Sequence, residues 1–121
     1  MELSLLAYGA AGVAFLTALF QLINQKPLEK YAVGQGMLSA DRSTKLSTFF
    51  LLVCGAACLF AEVQVYGMYA LAGFMLLSAF LIHKFWDEPD KATRFTEGLQ
   101  FVKNLMIAGL LICMAIIVEQ A

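Results

Sequence analysis

Apolar residues in this chain fall in long blocks, and nearly all of the charge falls between them. Residues 3–23 hold no charged group, and their polar members are Ser4, Thr17 and Gln21. Residues 46–82 carry one formal charge, Glu62. A third block covers about residues 99–118. A helix needs about 20 apolar residues to cross a hydrocarbon core of about 30 Å. Backbone amides in hydrocarbon have no water to bond, so such blocks must coil. Read as one helix, 46–82 would be about 55 Å long at about 1.5 Å per residue, nearly twice that core. A tight connection at Gln64-Val65-Tyr66-Gly67 relieves this, with the turn near 62–67. The pattern predicts spans at about 3–23, 46–65, 67–83 and 99–118. The expected fold class is all-α: an integral membrane four-helix bundle of antiparallel transmembrane helices, one transmembrane domain over residues 1–121.

The stretches between the blocks set the rest of the outline. Residues 24–45 form the longest polar segment. Pro27 is expected to end the first helix or force a turn, and Gly34 and Gly36 act as breakers. Leu28, Tyr31, Met37 and Leu38 keep the segment partly apolar, so it should lie along the membrane surface. Ser43 and Thr44 offer N-caps for the second span. Residues 84–98 read as a charged loop holding Lys84, Asp87, Glu88, Asp90, Lys91, Arg94 and Glu97. In the first span Ala10, Ala14 and Ala18 share one helical face, where a neighbouring helix can approach closely.

Composition sharpens the class. Hydrophobic residues make up 61% of the chain and charged ones 14%, against about 45–50% and about 25% in soluble domains. The formal net charge of −1 gives no basis for nucleic-acid binding. The basic residues are Lys26, Lys30, Arg42, Lys45, Lys84, Lys91, Arg94 and Lys103, and four crossings would put all eight on one side. The positive-inside rule makes that side cytoplasmic. Both termini are then expected outside the cytoplasm, with loops 24–45 and 84–98 inside, in a bacterial inner (plasma) membrane. The first block lacks the basic leader of a signal peptide and is expected to be retained. Tyr8, Tyr66 and Tyr69 mark the outer interface, and Tyr31, Phe85 and Trp86 the inner one.

This topology gathers Gln21, Asn24, Ser47, Thr48, His83, Lys103 and Asn104 at the inner ends of the helices. His83 is the only histidine. It can hydrogen-bond a carbonyl or relay a proton, or simply stabilise a helix end. A lone histidine cannot supply bis-histidine haem ligation. Lys103, expected one turn into the fourth span, can pair with Asp87, Glu88 or an anionic lipid head group, or its long stem can snorkel to the interface. Asn104 can bond across to another helix. Glu62 at the outer turn reads as interfacial. Cys54, Cys58 and Cys113 read as core-packing thiols. The sequence shows no catalytic constellation and no metal-ligand spacing.

Two motifs carry a family likeness. His83-Lys84-Phe85-Trp86 is followed by Asp87 and Asp90. Phe101-Val102-Lys103-Asn104-Leu105 is followed by Ile107, Ala108, Gly109 and Leu110. At this spacing they resemble the DoxX family of small membrane proteins, over about residues 65–112. The resemblance implies a four-helix membrane bundle associated with membrane redox systems, including quinone-linked sulfur oxidation and complexes with detoxifying enzymes. It marks His83, Phe85, Trp86, Lys103 and Asn104 as a cofactor-binding set for a quinone or a lipid head group.

The leading expectation is a non-catalytic accessory subunit. It would pack, among membrane lipids, against other integral membrane subunits and stabilise a larger respiratory or redox complex. Short loops and small-residue helix faces point that way. The alternative is a quinone-interacting oxidoreductase subunit, with His83 and Lys103 at the head group and Phe85 and Trp86 as walls. A small transporter is the third reading, for which only Glu62, His83 and Lys103 are available as ionisable groups in the spans.

Overall fold

The computed structural model describes residues 4–34, 36 and 39–120, and the side chains of all of these except Ser4 and Ala40. Leu3, the expected start of the first span, and the apolar anchors Met37 and Leu38 lie outside the described residues. The protein is all-helical. Among the described residues the α-helices are α1 (Ser4–Ile23), α2 (Gln25–Gly34), α3 (Ala40–Cys58), α4 (Gln64–Leu81) and α5 (Lys91–Gln120). A single 3-10 turn, Phe85–Asp87, precedes α5.

Three segments are long and apolar enough to cross a membrane: Leu5–Ile23, Gln64–Asp87 and Lys91–Gln120. Helix α3 is of a different kind. Asp41, Arg42 and Lys45 occupy its first two turns, and only then does it turn apolar.

Several boundaries differ from expectation, each for a local reason. The second span, expected at 46–65, belongs to a helix that begins six residues earlier and stops at Cys58. Its N-cap is Ser39 and neither Ser43 nor Thr44, both of which lie inside the helix. Gly36 (φ 81°) and Ser39 (φ 53°) both take left-handed backbone, and this turns the chain from α2 into α3. The turn between α3 and α4 spans 59–63 instead of 62–67. It is tightened by Leu59 N–H to Ala56 O, Phe60 N–H to Ala57 O and Val63 N–H to Phe60 O, the short-range bonding that closes a helix end.

Gly67 is therefore no turn residue. It sits in the first turn of α4, its N–H bonded to Val63 O at 3.0 Å. There α4 crosses α3 so closely that a Cβ on Gly67 would lie 3.0 Å from Cys54 O, Cys58 N and the Ala57 Cβ. The third helix correspondingly runs Gln64–Leu81 and not 67–83.

Pro27 does not end structure either. It falls in the first turn of α2, where a missing N–H costs nothing. Helix α1 gives way to α2 at Asn24, whose Nδ2 donates to Phe20 O at 2.9 Å. Residues 84–98 are a loop only as far as Asp90. That carboxylate accepts from Thr93 N at 2.9 Å and Thr93 Oγ1 at 2.8 Å. This is an N-cap geometry, and it starts α5 at Lys91, so 91–98 are helical and the last helix begins eight residues before the expected 99–118 and ends two residues after it.

Helix α1 packs on α3, α3 on α4, and α4 on α5, while α1 also touches α4 and α5. The core is built from small side chains: Ala7, Ala10, Ala11, Ala14 and Ala18 of α1 meet Cys54 and Cys58 of α3, Met68, Leu71 and Ala72 of α4, and Ala108 and Ala115 of α5. The expected Ala10, Ala14, Ala18 face is the packed one. Gly55 serves the same close approach, with the Phe15 ring and Ala14 directly over it. Small residues let helix backbones come near enough for dispersion to hold them.

Candidate functional site

Helix α2 packs on α3 and reaches α5 through one side chain. Tyr31 Oη donates to Glu97 Oε1 at 2.6 Å. His83, just past the end of α4, meets the other oxygen of the same carboxylate, Nδ1 to Oε2, at 2.8 Å. The Tyr31 oxygen also lies 3.3 Å from that Nδ1. One carboxylate thus ties three separate segments together.

A carboxylate can only accept, so the Nδ1 contact places the ring proton on Nδ1. Among the described residues Nε2 has no hydrogen-bond partner. The carboxylate fixes the ring and leaves its second nitrogen as the available acceptor, the arrangement that makes a histidine a directed hydrogen-bonding group. Glu97 is only 5% exposed. A charge so placed is held by its two donors, since burying it unpaired would cost several kcal/mol. Burial, and then the short bond to Glu97, hold the Tyr31 phenol well above the ordinary tyrosine range.

An aromatic cluster stands beside this group. Phe101 of α5 is its hub. Its centroid is 5.1 Å from Phe80, 5.4 Å from Phe85 and 5.6 Å from Trp86. The Phe80 and Trp86 pairs are edge-on, with interplanar angles of 88° and 87°. Phe85 and Trp86 also meet edge-on at 5.2 Å. Phe85 lies over Gly98, where a Cβ would be in ordinary contact with the ring. Trp86 remains 49% exposed, so the cluster presents an edge to its surroundings. The motif His83-Lys84-Phe85-Trp86 therefore has two faces: its histidine locks to Glu97 while its aromatics clasp Phe101.

The five residues marked by sequence are not one site. His83, Phe85 and Trp86 are neighbours along the 82–90 connection. Asn104 is 5% exposed and lies on the inner stripe of α5, two turns beyond Glu97. Lys103 is the thirteenth residue of α5 and exposed, outside the His83 cluster. Of the other polar groups, Gln21 Oε1 accepts from Ser47 Oγ at 3.0 Å and Thr48 Oγ1 at 2.8 Å, which joins α1 to α3. Gln25 Nε2 donates to Thr44 Oγ1 at 2.7 Å, which joins α2 to α3.

Sequence pattern does not mark Tyr31 and Glu97 as partners of His83. One reads as an interfacial aromatic and the other as a loop acid. The signal for Glu97 is periodicity: Asn104, Ala108, Leu111, Ala115 and Val118 form the buried stripe of α5, and one heptad back from Asn104 falls Glu97. An acid on the inward stripe of a helix needs a donor on whatever covers it.

At the opposite end Glu62 lies exposed in the 59–63 turn. Tyr69 Oη donates to Glu119 Oε2 at 3.1 Å, beside an open cleft of about 390 Å³ lined in part by Glu62, Gln64 and Tyr66. Cys54 and Cys58 are buried and Cys113 is exposed, so the three thiols do not form a cluster. Among the described residues no group of His, Cys, Asp and Glu has the arrangement to hold a metal ion. Comparison with protein-family models, with curated proteins and with solved structures found no match to this chain.

Proposed function

We propose that this chain is a DoxX-like integral membrane protein with α3 as a fourth crossing beside the three apolar segments, and that it acts as a non-catalytic accessory subunit of a larger redox or respiratory membrane complex. The observation that carries this reading is how its polar groups are spent. Glu97 is satisfied by Tyr31 and His83, and Gln21 by Ser47 and Thr48. Among the described residues no buried side-chain nitrogen or oxygen is without a partner. Such groups act as locks between helices. The outer faces carry large apolar side chains, among them Leu16, Leu19 and Phe20 on α1 and Leu99, Val102, Met106 and Leu110 on α5. These suit lipid or the helices of a neighbouring subunit.

The test is extraction of the tagged chain from its native membrane in mild detergent. The expected result is a particle containing other integral subunits, far above the 13.3 kDa of the chain. Recovery only as a free monomer or homo-oligomer would overturn the reading.

One observation favours the quinone reading as second. His83 Nε2 has no partner among the described residues and, as an acceptor, suits the hydroxyl of a reduced quinone, while Trp86, three residues on and 49% exposed, can supply an aromatic wall. In that case His83→Ala should abolish quinone binding while circular dichroism keeps its helical amplitude. Unaltered binding removes the idea. Because Lys103 is exposed and outside the cluster, the head-group role falls to His83 alone.

A further inference from the structure

We propose that the start of α3 is a binding site for one anionic phospholipid. Arg42, Lys45, Leu46 and Phe49 line a surface groove of about 400 Å³. Their spacing of three, four and seven puts them on one face of the helix. The two cations come first, and the two large apolar side chains follow in the direction in which α3 becomes apolar. Residues 46–58 carry no charge. The groove wall is almost entirely carbon. That is the shape of a phospholipid at an interface: phosphate at the top, acyl chain below.

Three further observations favour this occupant. Neither cation is spent elsewhere: among the described residues Arg42 and Lys45 make no ion pair, and the only carboxylate paired with a base is Glu97 with His83. The acid nearest in sequence, Asp41, is one residue before Arg42 and so projects about 100° further round the helix. Leu46 and Phe49 are 65% and 64% exposed, so the lower groove is uncovered by protein. The depth is also fixed from outside α3. Thr44 accepts from Gln25 of α2, and Ser47 and Thr48 donate to Gln21 near the end of α1. The groove mouth is thus held level with the end of a membrane-spanning segment, where lipid phosphates sit.

The inference rests on the membrane reading above but not on the accessory-subunit role. A guanidinium and an ammonium would also attract free phosphate, and the apolar wall is what selects a lipid. The test uses the full chain in nanodiscs of phosphatidylcholine doped with phosphatidylglycerol, with retained lipid counted by native mass spectrometry. Each basic residue beside an anionic surface is worth about fivefold. Arg42→Gln with Lys45→Gln should therefore lower phosphatidylglycerol retention by about 25-fold at low ionic strength. Lys84→Gln with Lys91→Gln, an equal loss of charge elsewhere, should leave it unchanged. Leu46→Ala with Phe49→Ala should weaken lipid retention several-fold.

Equal retention by the Arg42/Lys45 variant, or equal loss in the Lys84/Lys91 control, overturns the site. Displacement of the lipid by millimolar inorganic phosphate overturns the lipid assignment. Release of the chain from membranes by alkaline carbonate would instead sink the membrane reading itself, and the two failures are separable.

Discussion

Replacing Tyr31 by Phe removes one oxygen and tests whether α2 is latched to the rest of the protein. That oxygen donates to Glu97 at 2.6 Å, a length typical of a hydroxyl bonded to a carboxylate. Hydrogen bonds to charged groups contribute about 1.5–3 kcal/mol. Tyr31 is 36% exposed, so water can partly replace it, and the lower end applies. A loss of about 1.5 kcal/mol raises the population of detached α2 about tenfold. Amide hydrogen exchange in micelles reads this directly. Exchange across Gln25–Gly34 should quicken about tenfold, while the apolar stretches of α4 and α5 keep their protection. The pH dependence gives a second handle. Burial and Glu97 raise the Tyr31 phenol above its ordinary value. A raised value means that the folded contact favours the protonated form. The latch is therefore complete below about pH 10 and weakens as pH climbs above it, a dependence that Phe should abolish. A uniform rise in exchange over all helices, or none in α2, would refute the latch.

Three other outcomes follow from single contacts. Gly67→Ala places a methyl 3.0 Å from two backbone atoms of α3; it should cost about 1–3 kcal/mol by overpacking, seen in denaturation in mixed micelles, whereas Gly109→Ala, facing open space, should be neutral. Phe101→Ala removes the hub of three ring pairs, each worth about 0.5–1.5 kcal/mol, and should red-shift the emission of Trp86, the only tryptophan. Asp90→Ala removes the cap on α5, so the Thr93 amide should exchange faster. The Thr93 bonds hold the Asp90 carboxyl below its usual value, so in the parent protein this protection is present above about pH 3.9 and fades as pH falls through the lower folded value.

The helical content, and the three helices long and apolar enough to cross a membrane, are legible in the blocks of apolar residues, because hydrocarbon would leave the backbone no other solution. Helix ends are less legible. Nothing in Leu59-Phe60-Ala61-Glu62-Val63 is a breaker, yet the chain turns there. The cause lies in Gly67, whose missing side chain lets α4 cross α3 at a fixed point and pulls the turn forward. Pro27 misleads in the opposite direction, since a proline two residues into a new helix has the same sequence signature as one that ends an old helix. Asp90 could be read as a cap from Asp90-Lys91-Ala92-Thr93, but the six other charged residues of 84–98 mimic a loop. The site was half legible. His83, Phe85 and Trp86 are clustered in sequence and in space. Tyr31 is 52 residues from His83, and no local pattern connects them.

The length of α5 explains why such a latch exists. Thirty residues make a helix of about 45 Å at about 1.5 Å per residue, against a hydrocarbon core of about 30 Å. On the membrane reading proposed above, about ten residues stand in the interface or beyond it unless the helix tilts strongly. The charged residues Lys91, Arg94 and Glu97 place that excess at the start of α5. Glu97 is the deepest of them and faces inward, toward the end of α4. Left bare, it would be a carboxylate at the lip of the hydrocarbon. Helix α2, too short and too polar to cross a membrane, is the element that covers it, with Tyr31 as the donor that makes the cover specific. Helix α2 is therefore the element whose Tyr31 answers the buried acid of the last helix, and Glu97 in turn holds the His83 ring through Nδ1.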